Sequence, residues 1–251
     1  MSTNRPFVLS IAGFDPSAGA GVLADIKTFE QHQVYGFAIN TANTIQTETD
    51  FVSIEWTAIE LVLQSIETLF QSYSIQAVKI GIVPSLDYLK KIVLLLHRLS
   101  PKTKIIWDTV LKSTTEFHFL TIENQNDLTS ILDKIELITP NYEEIQKLVP
   151  TEKNIENSIE YLSKHCSVLL KGGHNPSEIG VDFLYIKDRF YRLSPKNTGV
   201  YPKHGSGCVL SAAITAQIAL EQNLLSACIK GKEYIENFLV STQNQLGYHH
   251  A

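Results

Sequence analysis

Ala77-Val78-Lys79-Ile80-Gly81-Ile82 runs directly into a stretch where Leu86, Leu89, Ile92, Val93, Leu96 and Leu99 recur three and four apart, and this junction decides the fold. The first run is short, apolar and broken by glycine, which predicts a buried strand; the second has the period of an amphipathic helix. The same alternation extends in both directions. Val8-Leu9-Ser10-Ile11-Ala12 predicts a buried strand ending at Gly13. Residues 58–70 place Ile59, Val62, Leu63, Ile66, Leu69 and Phe70 on one helical face. Strands are predicted at 104–107, 137–139 and 167–170, and 182–193 alternates around Lys187-Asp188 as a hairpin does. Two helices follow, from about residue 207 to 221 and from about 225 to 245. Strand, helix, strand, helix predicts an α/β fold of three layers, with a central mostly parallel sheet and helices on both faces. Residues 1–251 are expected to form one domain.

Composition narrows the function. The formal charge of −5 is spread along the chain and no basic patch interleaves with aromatics, so nucleic acid is not an expected partner. No apolar run is long enough to span a bilayer, so no membrane partner is expected either. Met1-Ser2-Thr3-Asn4-Arg5-Pro6 leads into a strand-like run without a signal-peptide core. Cys166, Cys208 and Cys228 are too few and too irregularly spaced for a disulfide framework or zinc site, which predicts a cytoplasmic protein.

Ligands of such sheets bind beyond the carboxyl ends of the strands, and the chain's small and polar motifs gather there. His204-Gly205-Ser206-Gly207-Cys208 opens the helix Val209-Leu210-Ser211-Ala212-Ala213-Ile214. A helix start of Gly and Ser leaves unshielded N–H groups that suit a phosphate. Cys208 lies within reach of that anion, and its pKa is expected to fall at a helix N-terminus, with His204 beside it; the same Cys also reads as a small core hydrophobe. Gly13-Phe14-Asp15-Pro16-Ser17-Ala18-Gly19-Ala20-Gly21 lets backbone approach a ligand or forms a tight turn. Gly19, Gly21 and Ala24 satisfy G-x-G-x-x-A, but no acidic residue follows at the dinucleotide spacing.

Asn141 and Glu144 share a helix face at its first turn, where the carboxylate suits a hydrated Mg²⁺; they equally read as a capping box. Asp108 offers a second metal carboxylate or an ordinary loop Asp. Lys171-Gly172-Gly173-His174 reads as a phosphate-neutralising Lys on a glycine turn, or as a strand-ending turn. Gln46 carries a donor and an acceptor for a heterocycle edge, or sits in a surface loop.

In order along the chain, these segments resemble the hydroxymethylpyrimidine and phosphomethylpyrimidine kinases of thiamine synthesis, in the ribokinase-like superfamily. The resemblance runs from about Val8 to Leu239 and is most specific at residues 12–29 and 204–213. It implies a ribokinase-like fold, a homodimer, a pyrimidine substrate, and ATP with Mg²⁺. It implies that Gly205, Ser206 and Gly207 form the anion hole and that Cys208 contacts or deprotonates the hydroxymethyl group. Lys171 would face the nucleotide phosphates with Gly173, Asn141 and Lys232 nearby, and Asp108 and Glu144 would organise the metal. Gly13, Ala20, Gln46, Ile82 and Val110 would line the pyrimidine pocket. Phe14 stands where the family has Ser, Thr109 where it has Pro, and Ile82 where it has Met; the loop 111–117 lacks the family's glycine and the tract 199–203 is short of its charged run. These departures bear on the substrate more than on the reaction. Pyridoxal or pyridoxine kinase is the alternative within the superfamily, and a pyrimidine-binding regulatory protein the alternative outside catalysis.

Overall fold

The computed structural model describes residues 4–112, 117, 119–122, 124–152, 154–175, 177–197 and 199–250. The alternation becomes one sheet. Five parallel strands follow the pattern read from sequence: β1 (Phe7–Phe14), β4 (Ile75–Ile80), β5 (Lys104–Trp107), β6 (Leu137–Ile138) and β7 (Ser167–Leu170). A sixth, β2 (Tyr35–Gln46), pairs parallel to β1 on its other side and carries β3 (Phe51–Trp56) antiparallel at the edge. The predicted hairpin is present as β8 (Asp182–Ile186) and β9 (Arg189–Leu193), turning at Lys187 with φ +51°. The strand order is β3-β2-β1-β4-β5-β6-β7-β8-β9.

Alternate strand residues feed two apolar layers. Leu9, Ile11, Val78, Ile80, Ile105 and Trp107 pack against α2 (Ile59–Ser72), α3 (Leu86–Leu99), α4 (Gln125–Leu132), α5 (Tyr142–Leu148) and α6 (Ile155–Ser163). Val8, Ala77, Ile106, Leu137 and Leu169 pack against α1 (Gly21–Gln31), α7 (Ser206–Ala219) and α8 (Leu224–Val240). This is the three-layer sandwich expected. The loop after β1 lies where the sheet extends to both sides, between β2 and β4, so a crevice opens beyond the carboxyl ends of these strands. The part of the 111–117 loop at 113–116 lies outside the described residues.

Helix ends follow local chemistry. Ser85, Asn124, Asn141, Asn154 and Asn223 cap α3, α4, α5, α6 and α8 through their side chains. In contrast, α7 starts at Gly205 with no side-chain cap. The last helix ends at Val240, not near 245 as its sequence suggests. The chain folds back there: Lys203 Nζ donates to Thr242 O at 2.6 Å and Asn244 O at 2.7 Å, and Tyr248 N donates to Ser241 Oγ at 2.9 Å.

Two histidines are half-buried against this second layer. His32 lies against Tyr234 with ring centroids 4.5 Å apart and planes tilted by 51°, and His249 Nδ1 lies 3.0 Å from the Tyr234 hydroxyl. Burial, and then nearby Lys230 or Lys27, lowers both imidazoles from 6.5 to about 4. Between these values the unfolded chain binds protons that the folded chain refuses, so stability falls as pH drops from 6.5 toward 4. Urea melts at pH values spanning that window should show the loss, and replacing both histidines by Phe should flatten it. An equal slope in the double variant would put the acid sensitivity elsewhere.

Candidate functional site

A cavity of about 500 Å³ occupies the crevice, a size suited to a small molecule. Gly13, Phe14, Thr44, Gln46, Ile82 and Val110 line it at the ends of the β1, β2, β4 and β5 side. Gly173, Gly180 and Lys232 line the β7 and β8 side, with Asn141, Glu144, Lys171 and the start of α7 also on its wall. Gln46 is not in a surface loop: it is the last residue of β2, and its Nε2 donates to Thr44 Oγ1 at 2.8 Å.

Backbone packing joins the first loop to α7. Gly21 has φ +61°, and a Cβ there would lie 2.1 Å from Gly13 O. Gly205 has φ +70°, and its Cβ would lie 2.0 Å from Gly19 O. Both positions require glycine. Ser206 N donates to Lys203 O at 3.3 Å and Val209 N to Gly205 O at 3.0 Å. The N–H groups of Gly205, Gly207 and Cys208 make no hydrogen bond among the described residues. They form the anion-seeking helix start that the sequence suggests.

Asp15 locks the loop. It accepts Ser17 N, Ser17 Oγ and Ala20 N at 2.8–2.9 Å, and His204 Nε2 lies 2.9 Å from its Oδ2. Burial alone would raise this carboxyl, but His204 and the Ser17 and Ala20 donors hold it below the usual value. His204 is therefore committed to Asp15 and does not serve the thiol. The Asp-Pro-Ser run, a turn-forming sequence, was the signal for this residue.

Cys208 corrects an expectation. Its sulfur accepts the Gly21 N–H, yet burial pushes the thiol up to about 11. Lys79 works against that rise, and Asp108 and Asp25 add to it. Desolvation outweighs the helix terminus.

Beside it lies a buried charged cluster. Lys171 Nζ sits 3.0 Å from Asp108 Oδ1 and 3.6 Å from Glu144 Oε2. It also lies against α7, 3.3 Å from where a Gly207 Cβ would stand. Asp108 is fully buried, accepts Thr139 and Ser211 hydroxyls at 3.0 and 3.1 Å, and is absent from the cavity wall. Its carboxylate is taken up by Lys171 and these two hydroxyls. Glu144 does line the cavity; Asn141 and Glu144 also form the full capping box, so both readings of that pair coexist. The bonds of Glu144 among the described residues run through Oε2, and burial raises its pKa even beside Lys171. Lys232 reaches the wall but its ammonium is held by Gly180 O at 2.6 Å and Asp182 Oδ2 at 2.8 Å. Among the described residues, no three His, Cys, Asp or Glu side chains cluster as a metal cage, and no helix is long and apolar enough to cross a membrane.

Residues 15–251 match the family model described as phosphomethylpyrimidine kinase. The hydroxymethylpyrimidine/phosphomethylpyrimidine kinase of Aquifex aeolicus (strain VF5) is 35% identical over 237 residues, covering 90% of this chain and 91% of that one. The crystal structure of phosphomethylpyrimidine kinase from Clostridium difficile 630 is similar with a TM-score of 0.77 at 31% identity, over 92% of this chain and 98% of that one. The pyridoxal kinase from Staphylococcus aureus in complex with ADP reaches a TM-score of 0.82 at 23% identity, over 98% of this chain and 92% of that one. That last likeness is one of fold.

Lys171→Met removes the cation shared by Asp108 and Glu144. Leaving buried carboxylates unpaired should cost about 3 kcal/mol in a denaturant melt. A melt equal to wild type would mean the cluster is not ionised as described.

Proposed function

The chain belongs to the phosphomethylpyrimidine kinase family, and on that premise we propose that it transfers a phosphoryl group from ATP to the hydroxymethyl group of 4-amino-5-hydroxymethyl-2-methylpyrimidine, and then to its monophosphate, in thiamine diphosphate synthesis. The observation that carries this reading is the uncapped start of α7, with three open N–H groups and the Cys208 thiol facing one cavity.

Phosphoryl transfer needs positioning and charge neutralisation more than covalent chemistry. In this reading the pyrimidine occupies the end near Gly13, Ala20, Gln46, Ile82 and Val110, its hydroxymethyl group at Cys208. Phe14 and Phe119, also on the wall, add aromatic surface there. The nucleotide takes the end near Gly173 and Lys232. The transferred phosphoryl group meets Gly205, Ser206, Gly207 and the Lys171 ammonium. The hydroxymethyl oxygen bonds to phosphorus, the bond from phosphorus to ADP breaks, and the hydroxyl proton leaves. Because burial holds the thiol near 11, Cys208 first contacts the hydroxyl and takes its proton only once ionised.

Glu144 fits a hydrated Mg²⁺: it is an oxygen donor on the cavity wall whose bonds use one carboxylate oxygen. Mg²⁺ bound there would neutralise phosphate oxygens. Asn141 orients that carboxylate, and Asp108 sets Lys171. A homodimer is supported by exposed Ile45 and Val52 at the β2–β3 edge. Three free cysteines support a cytoplasmic site of action.

The test is transfer from Mg-ATP, with products identified by mass. The pyrimidine and its monophosphate should both turn over, and Cys208→Ala should lower kcat by on the order of 10²–10³. Turnover of pyridoxal alone would reassign the substrate. Pyrimidine binding without turnover would make this a binding protein.

A further inference from the structure

Lys79 and Asp25 form an ion pair shut away from solvent, Nζ to Oδ1 2.5 Å, and Ser10 Oγ donates to the second carboxylate oxygen at 2.5 Å. Apart from Ser10, the layer around the pair is built largely of apolar side chains, Val8, Ala24, Ala77, Val209 and Ala212 among them. Burying two ions carries a desolvation cost, and apolar side chains of similar volume often stabilise such a place as well or better. Folding alone does not call for ions here.

Their placement does. Along β4, Val78 and Ile80 enter the layer under α3 while Ala77 enters the layer under α7, so alternation puts Lys79 on the α7 face. Lys79 precedes cavity-lining Gly81 by two residues, which sets it about 7 Å beneath the floor along the strand. Asp25 stands one helical turn beyond Gly21, whose N–H donates to Cys208 Sγ. The pair thus backs the thiol from the side away from the cavity.

We infer that the buried Lys79–Asp25 pair is a positioning element for Cys208, a fixed cation behind the sulfur that favours negative charge on it when the hydroxymethyl group is bound. The inference rests on the kinase reading for its substrate. The charged groups acting on Sγ are Lys79 from β4, Asp25 from α1, Asp108 beyond β5 and Lys171 beyond β7. The two lysines favour a thiolate and the two carboxylates oppose it. Burial is the largest single influence on Lys79 and works against its charge, but Asp25, Cys208 and Asp108 together outweigh it and the ammonium stays protonated. In the reaction the thiolate takes the hydroxyl proton as the oxygen bonds phosphorus and ADP leaves; the thiol returns that proton to solvent afterwards.

The test compares wild type, Lys79→Met and the apolar pair Asp25→Leu with Lys79→Met. Each is alkylated with iodoacetamide without substrate, between about pH 7 and 9, and labelling at Cys208 is quantified by mass. Below the thiol pKa the rate follows the thiolate fraction, so each unit of upward shift slows it about tenfold. Lys79→Met should label Cys208 on the order of tenfold more slowly, and the double variant, which also removes the opposing Asp25 carboxylate, should be slowed less but stay below wild type. The double variant should keep the wild-type Tm and lose kcat with KM for the pyrimidine unchanged. Labelling at the wild-type rate, or faster, in a folded variant would overturn the inference; the single variant decides if the double one does not fold. Labelling needs no substrate, so a failure of the kinase reading shows separately, as no turnover by wild type.

Discussion

Two carbonyl oxygens hold the site together. Gly13 O and Gly19 O occupy the space where side chains at Gly21 and Gly205 would begin. Because those side chains are absent, the first loop and the start of α7 meet backbone to backbone. That contact aims the open N–H groups at the cavity and brings the Gly21 N–H to the Cys208 sulfur. Asp15 and His204 then fasten the same two segments across 189 residues of sequence. A methyl group at either glycine would separate them, and the anion site would lose its geometry before any charged residue was touched.

Electrostatics sits behind this contact. Asp25, Lys79, Asp108, Lys171 and Glu144 bring opposite charges together beneath and beside the cavity wall, and the structure accepts the cost of desolvating them. A fixed charge needs no reorganisation when charge moves during a reaction, and low-dielectric surroundings strengthen its field. The arrangement suits chemistry in which the protein neutralises and orients more than it bonds.

The sequence made the central strands, α2, α3 and the β8–β9 hairpin legible because each buries one side or both sides regularly. It concealed α1, where buried Asp25 and Thr28 interrupt the apolar face. It concealed β2 and β3 because β2 pairs parallel on one side and antiparallel on the other, with Asn40, Thr41, Asn43 and Thr44 inside the run. The site motifs were readable because small residues at strand ends have few other uses. The direction of the Cys208 shift was not, since desolvation depends on packing from four elements. The Lys79–Asp25 pair spans 54 residues and has no local signature.

The return of the chain after α8 bears on the order in which the protein is made. Lys203 is satisfied by Thr242 and Asn244 carbonyls, and His204 N–H by Gln245 O at 2.9 Å. The segment carrying the anion site thus emerges from the ribosome some forty residues before the carbonyls that hold it, a lag of seconds at ordinary translation rates. During that lag the cavity wall is unfinished while most of the sheet has already been synthesised.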